Sequence, residues 1–405
     1  MMDVQTLMML SEQYLAHTYN RFPMIPVRGK GTRVWDMDGK EYIDFFSGLA
    51  VCNLGHCHPK VVAAIQAQAE KLIHVSNLYY IEPQIQLASL LCKYSFADKV
   101  FFCNSGAEAN EGAIKLARKY AKEKRGGDRY EIITMERSFH GRTLATLTAT
   151  GQTKYQKGYA PLVPGFKYVP FDHLDAVREA IDSKTCAVLL EPIQGEGGVR
   201  VPTEGYLKGL REICDEKGIL LILDEVQVGM GRTGRLFAYE HEGIEPDMLT
   251  LAKSLAGGVP IGALLIKEEI AKAFQPGDHA STFGGNFLAT AAGVAALKAI
   301  LEEGMLENCQ RVGKYFLSKL RTVQEQFPFV QEARGRGLIL GLELKMDGAE
   351  IVKEMLKRGF LINCTMDRVL RFLPPLIITE EEVDGMIEAL EEVFKKIQSP
   401  NNNNP

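Results

Sequence analysis

From about residue 85 to 300 this chain alternates short apolar runs with stretches of helical spacing, and that alternation constrains the fold more than any single motif. The runs Lys99–Cys103, Tyr130–Thr134, Ala187–Leu190, Ile219–Leu223 and Ile261–Ile266 have the length and composition of strands. Strand and helix in repeated succession form a mostly parallel sheet covered on both faces. The expected fold class is therefore α/β. Ahead of this region, a helix and a Pro-broken lead-in (Pro23, Pro26) precede two short strands around an Asp38-Gly39 turn, and residues 59–74 have helical spacing after Pro59. Beyond residue 300 the pattern changes. A long amphipathic helix at about 305–327 leads to a strand signal in Gly335–Leu344, and then to helix, strand and helix. This predicts four parts: residues 1–70 packing with the small domain, a large α/β domain at 71–300, a smaller α+β domain at 301–398, and a disordered polar tail at 399–405.

A chain of 405 residues exceeds one ordinary core, so two domains or one large α/β unit is expected. A net charge of −4 without a basic patch argues against nucleic acid, and no Lys/Arg-rich amphipathic face suggests a membrane surface. The longest apolar runs are strand-length, too short for a membrane span. No Lys or Arg precedes Arg21, which fits neither a secretory signal nor a transit peptide. The eight Cys are scattered without a C-x-x-C, so they are expected to be reduced core residues of a cytoplasmic protein. His56-Cys57-His58 are consecutive and cannot readily converge on one ion, so no metal site is expected.

The chemistry concentrates on Lys253, in Leu249-Thr-Leu-Ala-Lys-Ser-Leu-Ala-Gly-Gly258. An amine among small apolar neighbours resists protonation and can attack a carbonyl. Upstream, the apolar strand Ile219–Leu223 ends in Asp224, whose carboxylate could keep a pyridinium nitrogen protonated. These are the parts needed to carry pyridoxal 5'-phosphate (PLP). Ser105-Gly106-Ala107 opens a helix after the first strand run, where amides, a hydroxyl and the helix dipole suit a phosphate, or form an ordinary cap. Phe139 and Arg142 share a Gly-containing loop, the first able to stack on a ring and the second to hold a carboxylate. Glu191 and Glu196 follow another strand. Glu191 reads as a structural acid at the turn and Glu196 as a functional one. Gly229-Met-Gly-Arg-Thr-Gly234 matches a dinucleotide fingerprint, but no helix starts within it, and a tight loop is the better reading. Ser281-Thr282 begins a polar turn that is either a phosphate contact or a helix start. Arg371, in an apolar strand, needs an acid or a substrate carboxylate.

Taken in order, N-S-G-A-E-A-N-E, F-H-G-R-T, E-P-I-Q-G-E-G-G-V, L-D-E-V-Q, G-M-G-R-T-G, L-A-K-S-L-A-G-G and T-F-G-G-N make the chain similar to the class III (ornithine-type) aminotransferases, PLP enzymes of fold type I. The resemblance implies that Lys253 binds PLP covalently and acts as the catalytic base, and that Asp224 pairs with the pyridine nitrogen. It places Gln227 near the ring hydroxyl, with Val226 and Phe139 on opposite ring faces. Ser105, Gly106 and Ala107 would hold the phosphate, joined by Thr282 of a neighbouring subunit in a homodimer. Arg142 and Ser281 would lie on the substrate side, and Glu196 and Arg371 would form a gate. Closed as an ion pair, the gate admits an ω-amino donor. Opened, it frees Arg371 for the α-carboxylate of glutamate or 2-oxoglutarate. The implied reaction moves the ω-amino group of N2-acetyl-L-ornithine to 2-oxoglutarate, with ornithine, succinyl-diaminopimelate or 4-aminobutyrate as alternative donors. Val228 and Phe287 depart from the family pattern, where a small or hydroxylated residue and a Pro are usual.

Overall fold

The computed structural model describes residues 3–398 apart from 125 and 127, so the tail 399–405 lies outside the described residues. Strands β1 (Pro26–Lys30), β2 (Arg33–Asp36) and β3 (Glu41–Asp44) pair antiparallel. The β2–β3 turn closes on Asp36, whose carboxylate accepts from the amides of Asp38 (3.0 Å) and Lys40 (2.9 Å). Gly39, at φ 79°, supplies the left-handed residue this turn requires.

Seven strands build the central sheet: β4 (Lys99–Cys103), β5 (Glu131–Met135), β6 (Phe166–Val169), β7 (Thr185–Leu190), β8 (Leu220–Asp224), β9 (Met248–Leu251) and β10 (Gly262–Ile266). Their order is β4-β10-β9-β8-β7-β5-β6. Only β10 runs antiparallel to its neighbours. Strands β7 to β10 are buried at every position, as their largely apolar sequences require when both faces are covered. Two of the seven strands have little sequence signal. β6 is an edge strand in which only Val169 is buried, and β9 is four residues long and merges with the approach to Lys253.

The C-terminal region adds β11 (Val330–Arg336), β12 (Ile339–Leu344), β13 (Phe360–Leu361), β14 (Asn363–Thr365) and β15 (Val369–Phe372). The stretch Gly335–Leu344, expected as one strand, is instead the end of β11, a turn and β12. Gly337 (φ 58°) makes the turn, and a Cβ there would lie 2.5 Å from the backbone of Thr233. The small sheet runs β11-β12-β15-β14, all antiparallel. β13 leaves it and pairs parallel with β3, so the N-terminal segment and the C-terminal region share a sheet. The helix Pro59–Ala69 packs on Phe287–Glu302.

The Gly229–Gly234 loop is a tight turn that joins these layers. Arg232 is fully buried, and its guanidinium donates to the carbonyls of Leu338 (2.9 Å) and Pro374 and to Asn53 Oδ1. Burial pulls its pKa down to about 10, against a weaker opposing pull that includes Asp44. The cysteines divide evenly: Cys103, Cys186, Cys214 and Cys309 are buried, while Cys52, Cys57, Cys92 and Cys364 are not. Among the described residues no helix is long and apolar enough to cross a membrane.

Candidate active site

The carboxyl ends of β4, β5, β7, β8 and β9 meet the start of β10 along one sheet edge, the position where open α/β sheets gather ligands. A cavity of about 440 Å³ opens there, lined by Lys253, Asp224, Glu196, Arg142 and the Ser105–Ala107 turn. Val51, from the N-terminal segment, closes one side.

Lys253 begins a 3-10 turn after β9 with φ 45°, a left-handed conformation that a lysine does not favour without constraint from its surroundings. Burial lowers its pKa to about 8, against the opposing pull of Glu196. Near pH 8 a substantial fraction is then the neutral amine, the nucleophilic form.

Asp224 ends β8 and is 3% exposed. Its Oδ1 accepts from the Val226 amide at 3.0 Å. Its Oδ2 accepts from Asn110 Nδ2 at 2.7 Å and lies 2.8 Å from His140 Nδ1. Asn110 is itself fixed, donating to the His140 carbonyl (2.8 Å) and accepting from Thr250 (2.8 Å). Both carboxylate oxygens are thus oriented by donors. His140 Nε2 is buried without a partner. The sequence alone gives no role to Asn110 or His140, although both lie inside the motifs quoted above. The available signal was spacing: Asn110 stands four residues, one helical turn, after Gly106.

The helix Gly106–Lys124 points its N-terminus at the cavity. Ser105 caps it, Oγ accepting from the Glu108 amide at 3.2 Å, while Glu108 reaches back to the Asn104 amide. That leaves the first-turn amides of Gly106 and Ala107 for an anion. Gly106 must lack a Cβ, because one would lie 2.7 and 2.9 Å from the two methyls of Val226. Phe139, from the loop after β5, meets Tyr155 edge-on at 5.7 Å, and the Arg142 guanidinium lies 4.2 Å over the Tyr155 ring.

Arg371 on β15 is 1% exposed and pairs with Glu196 at 2.7 Å. It also bonds Asn363 Oδ1 (3.1 Å) and Gln227 Oε1 (3.3 Å). Burial opposes ionisation of Glu196, but Arg371 and Lys253 outweigh it and hold the carboxyl below its usual range. Glu191 is a structural acid here. It accepts from the Phe139 (2.9 Å) and Gly195 (3.1 Å) amides, and burial raises it to about 7.

The structure does not bring Ser281 and Thr282 into this chain's cavity. The Ser281 hydroxyl accepts from Asn104 (3.1 Å) and the Gly284 amide (3.0 Å), which occupies it in the turn, and Thr282 faces outward. His56 pairs with Asp44 (2.7 Å) and His58 with Glu303 (3.1 Å), each on its own partner.

The residues present fit PLP. They provide a lysine of depressed pKa, a buried carboxylate with both oxygens oriented, free helix amides and a cradle that a Cβ at Gly106 would fill. The aminotransferase class-III family model matches residues 14–394, and the chain belongs to that family of PLP-dependent transaminases. It is 57% identical over 389 residues to the acetylornithine aminotransferase of Methanocaldococcus jannaschii, covering 96% of this chain and 98% of that protein. The fold is shared with an ornithine aminotransferase from Toxoplasma gondii whose active site is partly occupied by PLP (TM-score 0.95, 37% identity, 98% and 95% covered). It is shared also with the N-acetylornithine aminotransferase of Stenotrophomonas maltophilia K279a (TM-score 0.84, 40% identity, 97% and 100% covered).

Proposed function

We propose that this chain transfers the ω-amino group of N2-acetyl-L-ornithine to 2-oxoglutarate, giving N-acetyl-L-glutamate 5-semialdehyde and L-glutamate in arginine biosynthesis. The observation that carries the proposal is the closed Glu196–Arg371 pair beside Lys253. With Arg371 neutralised, Arg142 is the cation at the cavity mouth that remains for a donor's carboxylate. Such a site takes a substrate by its distal amine and keeps its α-carbon away from the lysine. The 57% identity to an acetylornithine aminotransferase supports this donor over others.

PLP, when bound, supplies the electron sink that lets an amine's carbon give up a proton. The protein's own residues do the rest. Lys253 would hold the cofactor, and its Nζ would carry the proton, for which a pKa of about 8 is well matched. Asp224, fixed by Asn110 and close to His140, presents a carboxylate where the ring nitrogen would lie. The Gly106 and Ala107 amides would receive the phosphate, and Val226 and Phe139 would enclose the ring. Gln227 would reach the ring hydroxyl, and Glu196 would swing aside for the second substrate, giving Arg371 the α-carboxylate of 2-oxoglutarate. We further infer a cytoplasmic homodimer, in which the partner's copies of the Ser281-Thr282 turn complete the phosphate and substrate sites.

The test is half-reaction spectroscopy on the holoenzyme. N-acetylornithine, ornithine, 4-aminobutyrate and succinyl-diaminopimelate are added separately, and loss of the cofactor's long-wavelength absorbance is followed. Fastest bleaching by N-acetylornithine supports the reading, whereas preference for another amine transfers the chemistry to that donor.

A further inference from the structure

Glu196 belongs by sequence to the large sheet, in the loop after β7, and meets Gln227 and Lys253 there, yet it also bonds to the small sheet. Its carbonyl accepts from Thr365 Oγ1 on β14 at 2.8 Å. Two and three residues on, the carbonyls of Gly198 and Val199 are held by Arg334 of β11. Nε donates to both (3.1 and 3.0 Å) and Nη2 to Gly198 (2.6 Å). Arg334 is in turn fixed by Glu332 and Glu343, each at 2.6 Å. Val199 has φ 53°, a conformation that costs a β-branched residue energy and persists only under constraint. Its side chain packs over Gly341, where a Cβ would come within 3.0 Å of Val199 Cβ, and Gly341 is the register partner of Arg371. One sheet therefore fixes both members of the ion pair.

We propose that Arg334 is a positioning residue for substrate selection, clamping the 195–199 loop so that Glu196 stays opposite Arg371. This rests on the gate reading above. With the loop backbone pinned at Gly198 and Val199, opening is a swing of the Glu196 side chain, and the closed state returns after each release. Without the clamp, Glu196 spends less time on Arg371. Arg371 is then more often free for an α-carboxylate, and discrimination between the ω-amino donor and glutamate weakens.

The experiment compares holoenzyme R334Q, E196A and the double variant, measuring kcat/KM for the N-acetylornithine and glutamate half-reactions. Glu343 keeps Arg200 at 3.0 Å when Arg334 is lost. Arg334→Lys and Val199→Gly, the latter relieving the strained φ, serve if R334Q does not fold. R334Q is expected to lower the N-acetylornithine-to-glutamate ratio about tenfold. The double variant should fall no further than E196A, because both act through one side chain. Hydrogen exchange in 195–199 should rise in R334Q while β7 stays protected. An unchanged ratio in E196A would overturn the gate reading itself. A changed ratio in E196A, with R334Q slowing both half-reactions equally or adding fully to E196A, would overturn the role of Arg334 alone.

Discussion

Gly106→Ala is a one-carbon change whose effect can be worked from the geometry. The added Cβ would sit 2.7 and 2.9 Å from Val226 Cγ1 and Cγ2, against about 3.4 Å for a tight but ordinary contact. Val226 cannot step aside easily. Its amide is held at 3.0 Å by Asp224, and a β-branched side chain has few rotamers to offer. The helix N-terminus must therefore move by several tenths of an ångström, taking the Gly106 and Ala107 amides with it. Overpacking of this kind costs about 1–3 kcal/mol, which at 1.4 kcal/mol per decade is roughly a 5- to 150-fold weaker hold on an anion at those amides. Titration of apo-G106A with PLP should show that rise in Kd. The Val226→Ala substitution removes both offending methyls, so G106A/V226A should recover most of the loss relative to V226A alone. Wild-type affinity in G106A, or a double variant as poor as the two losses multiplied, would refute the argument.

Other outcomes follow from the same contacts. In the apoenzyme, reactivity of Lys253 toward a small carbonyl reagent should rise with pH through about 8. The Glu196→Gln substitution should move that midpoint lower, because it removes a negative charge that favours the ammonium, and mass spectrometry of trapped adducts across pH reads both. Asp224→Asn is isosteric but not equivalent, since Oδ1 and Oδ2 both face donors and the new NH2 must confront one of them. The carboxylate would pair with a bound, protonated pyridine nitrogen, and losing one partner of such a buried charge pair costs about 3–5 kcal/mol. Single-turnover rates should therefore fall by two orders or more, and a tenfold loss or less would sink the role given to this carboxylate. Arg232→Met leaves the Leu338 and Pro374 carbonyls and Asn53 Oδ1 without their donor. At about 1–3 kcal/mol for each orphaned group, less the relief of an unpaired buried cation, a destabilisation of about 3 kcal/mol is expected by denaturant unfolding, and a change below 1 kcal/mol would contradict it.

What was legible in the sequence follows from which forces are local. Strands β7, β8 and β10 are buried at every position and mostly apolar because both faces are covered. Asp224 ends β8, Glu196 follows β7 and Lys253 stands just past β9, so all three are legible as chemistry at strand ends. β6 could not, because an edge strand that buries one residue of four resembles a loop. Nor could the hairpin at Gly337, whose turn is demanded by the backbone of Thr233, a hundred residues earlier in the chain. The second layer of the site was hidden for the same reason. Asn110 is on a helix, His140 in a loop and Thr250 on β9, and only the sheet order β9-β8-β7-β5 brings the first two to one carboxylate and the third to Asn110. Arg334 is the extreme case. Nothing in Ala333-Arg334-Gly335 suggests a link to Glu196, and the link exists because a loop leaving the large sheet has its polar backbone satisfied by the small one. Residues that touch a substrate must be chemically unusual and so stand out singly, whereas the residues that aim them need only the right neighbour, and neighbours are a property of topology.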